Sequence, residues 1–599
     1  MKKLIYLLLG STLMFTSCMK YDFDNNYEKE QVEENVKNVF GVSFDKNHDW
    51  CTTTVGSVTV TDIPSGTEKI QVLAYVDASD STTTLSVLNE ANVKGKTSVT
   101  LNYDIPKVNK GIYVSNGNVF KKVEGNTLSL AQTSTRAAKN RSFRAQENLV
   151  ISTTVESFAN KRGWIKDEVL YGMSDEAYTT EGVSVADYDD EYKTLFRTII
   201  FSYFKNGRQY NNLPLIKESG YFNEKVYPIT TGGEPIILSP VYKSDKATKY
   251  GNEIWNSDLY YYYFKENDLE AYVANGGNEV EFLTKLPKYK AIQFNQHFGE
   301  NEDDVISKRT SYTLVYWGDG IPTIGTEGTY EFPSGYKIGF MVRAKTTADG
   351  GKKQGELYGD GRLNNKINFW GNFKSSNLGT DGPRMGWINL NGKMLLCCES
   401  GTDSDFNDII IEVEGGVEEI PFIPEFESEV YTFCFEDRAI GDYDMNDIII
   451  KASRINETTV EYSVVACGAN DLIYIFNIGG NVINENTEVH AMFNVGKTIF
   501  VNTVRGQEYE PITERVSVSK DFSFLNADTQ PYIYDATMGT YVHVSRVGED
   551  PHGIMIPNDF KYPLERICIK DAYPRFNEWG MSRITSTDWY KYYNEELVY

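Results

Sequence analysis

The stretch "YTFCFEDRAIGDYDMNDIIIKAS", residues 431–453, alternates apolar and polar residues, breaks into a loop of acids and amides, and resumes as three isoleucines. Aromatic and β-branched residues bounded by Gly, Asp and Asn read as two strands joined by a turn. A near copy lies upstream in "MLLCCESGTDSDFNDIIIEVE", residues 394–414. Aligned from Asp403 and from Asp442, the two loops agree at Asp, Asp, Asn, Asp and all three Ile. A duplicated strand–acidic loop–strand unit implies two β domains in tandem, and it sets the fold class: mainly β, a multidomain chain of β-sandwich-like domains with a short N-terminal helix.

The bulk composition agrees. A chain of 599 residues is too long for one hydrophobic core. Its 41 Tyr and 48 Gly favour strands and turns, and 5 His leave little for histidine chemistry. With 84 acidic against 59 basic side chains, the net charge of -25 excludes the basic footprint that nucleic acids and anionic membranes require. Cations are the natural partners.

The N-terminus, "MKKLIYLLLGSTLMFTSC", has a basic start, an apolar run and small residues before Cys18. It reads as a secretory signal over 1–17, and "FTSC" resembles the lipobox of bacterial lipoproteins. Cys18 is then the lipidation site and the membrane partner, in an outer membrane location, with the chain exposed at the cell surface. No other run approaches 18 apolar residues. The remaining six Cys read as buried thiols, a bridge near Cys397, Cys398 and Cys434 being the alternative.

Beyond the signal, residues 18–49 read as a tether and one helix, with Val32, Val36, Val39 and Phe40 at helical spacing. Residues 50–132 alternate as a small β-sandwich, and 133–148 form a basic linker open to proteases. The tyrosine-rich middle, 149–300, holds "YKTLFRTIIFSYF", which fits strand or helix. It also holds Tyr260 to Tyr263, read as a strand covered on both faces or as a sugar-stacking surface. A β domain with the first acidic loop follows at 301–416, then a Pro-stiffened linker at 417–428, then a β domain with the second loop at 429–599.

Carboxylates at i, i+2 and i+4 can meet at one point if the backbone curls, and a crowd of oxygen donors suits calcium. The candidate ligands are Glu399, Asp403, Asp405, Asn407 and Asp408 in the first loop. In the second they are Glu436, Asp437, Asp442, Asp444, Asn446 and Asp447. An EF-hand is excluded, because Asp408 and Asp447 stand where that loop needs Gly and strands replace its helices. The alternative is a bare Asx-rich turn. No G-x-S-x-G, H-E-x-x-H or complete P-loop is present, and glycosidase carboxylates face a sugar from opposite sides rather than sharing one loop. No catalytic residue is therefore assigned.

At these residues the chain resembles a known set. "CFEDRAIGDYDMNDIII", with "TEVHAMF", "PNDFKYPLERICIKDAYPRFNEWG" and "DWYKYY", resembles the LruC-type domain of Gram-negative lipoproteins. The preceding "GYKIGFMV", "YGDGRLNN" and "CESGTDSDFNDIIIEV" are similar to another secreted domain of unknown function with the same loop, and "NVFGVSFDKNHDW" matches a leader common in such lipoproteins. Met445 departs from the usual Phe or Tyr, and Glu399-Ser400 from the usual Glu-Asp pair. The resemblance implies a lipid-anchored β protein and no particular reaction. The function expected is non-enzymatic: adhesion, ligand binding or a structural surface role, toward an extracellular glycan or protein, with a glycan-binding or glycan-processing lipoprotein as the alternative.

Overall fold

The computed structural model describes residues 29–77, 83–117, 119–131, 173–177, 183–184, 188–203, 227–243, 258–294, 310–320, 328–345, 354–364, 382–390, 393–399, 406–418 and 426–599. The signal with Cys18, the basic linker, Asp403 and Asp405 lie outside the described residues. The chain forms two compact units. One comprises Met1–Gly56, Asn102–Val108 and Ser428–Tyr599; the other comprises Ser57–Leu101 and Asn109–Glu427. Both are β-rich, and among the described residues no helix is long and apolar enough to cross a membrane.

In the unit formed by 57–101 and 109–427, a six-stranded sheet is ordered Met385–Leu390, Lys393–Cys398, Ile409–Glu414, Ile237–Lys243, Thr310–Thr313 and Val183–Ser184. A five-stranded sheet is ordered Gln354–Tyr358, Tyr336–Lys345, Asp258–Lys265, Lys288–Gln293 and Met173–Ala177. Leu238, Leu396 and Ile411 of the first pack with Tyr261, Tyr263, Ile338 and Phe340 of the second in one core. Both sheets draw strands from either side of residue 300, so the tyrosine-rich middle and the first acidic hairpin share their hydrogen bonding.

The tyrosine run is a strand covered on both faces. Tyr261 and Tyr263 enter the core between the sheets, while Tyr260 and Tyr262 lie with Leu269 and Leu283 of the helices Glu266–Ala274 and Glu279–Lys285. The ambiguous segment before it is a helix, Asp190–Tyr203. Its Leu195, Phe196, Ile199 and Ile200 recur at helical spacing and cover Leu395, Cys397 and Ile410 on the outer face of the six-stranded sheet.

The other unit is built on an antiparallel five-stranded sheet: Ile512–Ser517, Thr459–Ala466, Ile448–Asn456, Val430–Phe435 and Gly553–Pro557. Side chains alternate between its faces. Tyr431, Phe433, Ile448 and Ile450 pack against Ile473, Ile475, Ile533 and Val542 of a small antiparallel sheet, Ile473–Phe476, Tyr532–Asp535 and Thr540–Val542. Cys434, Ile449, Ile554 and Ile556 face the other way, onto the helix Lys29–Phe40 and the C-terminal aromatics Phe576, Trp579 and Trp589. Val32, Val36 and Phe40 are the buried stripe of that helix, at the spacing expected. The leader after it is part of the same core: Phe44 and His48 stack edge-on against Trp50, and His48 against Trp579.

The cysteines among the described residues are all free thiols.

Candidate metal centre

Both acidic loops close antiparallel hairpins. The first spans residues 399–408 beyond the pair Cys398↔Ile409, and the second spans 436–447 beyond Phe435↔Ile448. A glutamate follows the first strand in each. Glu399 accepts the Phe406 amide at Oε2 (3.1 Å), and Glu436 accepts the Met445 amide at Oε1 (2.6 Å). Phe406 and Met445 are fully buried and carry positive φ, 59° and 58°. The backbone is thus turned left-handed at a large apolar residue, an uncommon conformation held by the buried carboxylate and the core beneath it.

In the second loop Tyr443, with φ 55°, repeats the device. Its buried ring packs with Phe40, and its hydroxyl meets His552 Nε2 at 2.9 Å. With Tyr443 and Met445 turned into the core, Asp442 and Asp444 bring carboxylate oxygens together with one from Glu436, each within 4.8 Å of the others. Asp444 Oδ1 accepts the Asn446 amide (3.2 Å) and Oδ2 the Arg566 amide (2.6 Å). Asn446 donates from Nδ2 to the Pro563 carbonyl (3.0 Å), so the free lone pairs of its Oδ1 are buried with no donor. A Cβ added at Gly468 would stand 2.2 Å from that Oδ1 and 3.0 Å from Glu565 Oε2, so these two oxygens converge where only glycine leaves room.

The charges of these carboxylates are not balanced by the side chains around them. Burial, with Asp444 next, holds Glu436 well above the usual carboxylate range. Burial and then Asp442 push Asp444 up to about 8. Burial also raises Asp447 and Glu565. Among the described residues no lysine or arginine pairs with Glu436, Asp442 or Asp444; Arg438 turns instead to Asp471, at 2.5 Å. Glu436 and Asp444 are buried and Asp442 is exposed; two buried carboxylates so arranged must be protonated or hold a cation, and a set made only of oxygens fits a hard ion such as calcium.

Of the residues expected as ligands in this loop, the structure brings Glu436, Asp442 and Asp444 to one point, with Asn446 on the flank toward Glu565. Asp437 leaves them: it joins Asp471 and Asp535 in a separate acidic group. Asp447 binds the Asp437 amide through Oδ2 (2.7 Å). In the first loop Glu399, Asn407 and Asp408 are buried, and there a buried guanidinium is present: Arg384, whose carbonyl accepts the Glu399 amide, senses the charges of Glu399 and Asp408. Glu565, Asp471, Asp535 and Arg384 were not expected from sequence; each stands alone in its stretch, with no spacing to mark it.

One further trio has a nucleophile-like outline. His490 faces Glu488 Oε1 through Nδ1 (2.8 Å), with Cys467 Sγ 3.5 Å from Nε2. Nε2 also points at the Ala469 carbonyl (3.1 Å), which needs a hydrogen there, and burial holds the Cys467 thiol well above its ordinary value. That is a packed thiol rather than an activated one.

A domain of unknown function, DUF4842, matches residues 511–590. The match takes in Asp535 and Glu565 and leaves out the loop 436–447. No curated protein and no solved structure matches the chain.

Proposed function

We propose that this chain is a non-enzymatic, lipid-anchored envelope protein of the LruC type, held at the outer membrane by Cys18, whose acidic loops bind calcium and stiffen β domains that present a binding surface outside the cell. The observation that carries the calcium reading is the convergence of Glu436, Asp442 and Asp444 within 4.8 Å, beside the buried Asn446 Oδ1 that no donor satisfies. Calcium tolerates the irregular oxygen shell such a loop offers. Chelation is expected to lower the melting temperature, and Asp444→Ala to diminish that sensitivity; an unchanged melt in chelator overturns the reading. Cys18→Ala is expected to release the chain from membranes, and retention of that variant at the membrane would overturn the anchor.

A glycan-binding reading draws no support from Tyr260–Tyr263, whose rings are buried. It draws some from the small sheet of the other unit. Phe476, Tyr532, Tyr534 and Tyr541 form a ladder on its outer side, with Phe476 and Tyr532 stacked at 5.1 Å and Tyr534 and Tyr541 at 4.5 Å. Tyr541 is 37 % exposed. Aromatic faces of this kind give a flat platform with polar tips. Titration with soluble glycans should lose its signal in Tyr541→Ala with Phe476→Ala if the ladder is the platform.

A further inference from the structure

We infer that Asp437, Asp471 and Asp535 form a second calcium site, on the other side of the same loop from Glu436, Asp442 and Asp444. One carboxylate oxygen of each lies within 4.8 Å of the others. All three are buried, at 7 %, 6 % and 0 % exposure. The second observation is Asp535 itself. Its Oδ1 caps the turn that follows, accepting the amides of Thr537 (2.7 Å) and Met538 (3.1 Å). Its Oδ2 is buried and has no donor at all. A fully buried carboxylate oxygen facing two more carboxylates is a costly arrangement without a cation.

Arg438 is the charge that could make an ion unnecessary, and it falls short. It donates from Nε (3.1 Å) and Nη2 (2.5 Å) to Asp471 Oδ2, and reaches Asp437 Oδ1 only at 4.0 Å. Asp447 adds a fourth carboxylate, with Oδ2 on the Asp437 amide. One half-exposed guanidinium therefore faces the three carboxylates, with Asp447 beside Asp437, and Asp535 receives no hydrogen bond from it. The donors are oxygen throughout, which selects calcium over zinc or copper.

Position gives the site its purpose. Asp437 stands two residues beyond Phe435, where a strand of the five-stranded sheet ends; Asp471 leads into Ile473–Phe476, and Asp535 ends Tyr532–Asp535, paired with Ile473. An ion there clamps the two sheets together at the open end of the core they enclose. Asp447 senses both Asp437 and Glu436, so it stands between the two sites. The second ion would hold the small sheet, and with it the aromatic ladder, in register with the loop.

The test is calcium stoichiometry of the mature full chain, by equilibrium dialysis with elemental analysis. Asp471→Asn with Asp535→Asn should bind one calcium fewer than the parent, and Asp442→Asn with Asp444→Asn should lose a different one. An unchanged count in the first pair overturns the second site; an unchanged count in the second pair overturns only the site of the proposed function. Asp471→Asn alone, which leaves the Asp535 turn intact, guards against misfolding and should weaken one calcium at least tenfold; unaltered affinity overturns the inference. In the parent, hydrogen exchange at residues 532–538 should slow on adding calcium, and exchange there that ignores calcium also overturns it. Finally, Asp535→Asn should melt no lower than the parent in chelator and lower in calcium. A purely structural aspartate would lower both.

Discussion

The two acidic hairpins are the same device compensated in two ways. Each has a glutamate after the first strand that captures the amide of a buried, left-handed apolar residue, and each runs into three isoleucines. Just before the strand beside the first, the residue whose carbonyl receives the glutamate's amide is Arg384, 3 % exposed; just before the strand beside the second it is His552. Burial lowers Arg384 to about 10, against the pull of Glu399 and Asp408, so it remains a cation at neutral pH. Burial lowers His552 to about 4, so it is neutral there. The first loop has a buried positive charge beside its acids, whereas in the second the guanidinium of Arg438 turns to Asp471 and leaves Glu436, Asp442 and Asp444 without one. A shared motif therefore does not imply an equal need for an ion.

The largest effect expected is from removing the fixed charge. Arg384→Met leaves Glu399 and Asp408 buried without the charge that attracts them, and leaving buried charge uncompensated costs about 3–5 kcal/mol. Thermal unfolding followed by hydrogen exchange at residues 406–418 should show that loss. A variant as stable as the parent would mean that Arg384 does not compensate the first loop, and the contrast would collapse. Next comes chelation. An ion present at 100 times its dissociation constant contributes about 2.7 kcal/mol, or a shift of about 5–11 °C in a unit of this size. The loss of protection should concentrate at 436–447 and be smaller at 406–418; equal losses would show that Arg384 does not spare the first loop its ion.

Gly468→Ala should follow. Its Cβ would stand 2.2 Å from Asn446 Oδ1 and 3.1 Å from the Asn446 carbonyl, so the loop must shift to admit it. Overpacking of this kind costs about 1–3 kcal/mol. Because the displaced atom is the orphaned oxygen, calcium affinity should fall along with the melting temperature. A lower melt with unaltered affinity would remove Asn446 from the ion's surroundings.

How much of this was legible follows from range in sequence. The hairpins were readable because alternation, Asp and Asn turn chemistry and the triple isoleucine are local signals, and duplication doubled them. The N-terminal helix was readable from Val32, Val36 and Phe40. Its place was not, since nothing in residues 29–50 announces that Phe44, His48 and Trp50 complete an aromatic core with Phe576 and Trp579. For the same reason Asp437 was grouped with its chain neighbour Glu436. Adjacent residues at a strand end point to opposite faces, and the partners of Asp437, Asp471 and Asp535, arrive from distant segments. The Tyr260–Tyr263 strand gave no periodicity because both of its faces are covered. Arg384 sits between Pro383 and the strand Met385–Leu390, with no pattern to mark it as a counter-charge.

The smallest expected effect is in pH, and it separates a loop compensated by a fixed charge from one compensated by an ion. Without calcium, Asp444 keeps its proton in the fold to about pH 8 and Asp437 to about pH 6, whereas in the unfolded chain both ionise near 3.9. Between those values the fold binds more protons than the unfolded chain, so this contribution to stability is fully present below about pH 4 and is lost as pH rises through the folded pKa. Calcium takes only the ionised groups, so its stabilising effect must grow over the same interval, by up to about 1.4 kcal/mol per pH unit for each proton displaced. His552 works in the opposite sense, its contribution being lost as pH falls from about 6.5 toward 4, so the clean window is pH 6.5 to 8. There the gap between melts in calcium and in chelator should widen steadily for protection at 436–447. The first hairpin, with Arg384 charged throughout that window, should show a flatter response; a gap that stays constant with pH at 436–447 would mean that the ion does not displace the proton of Asp444.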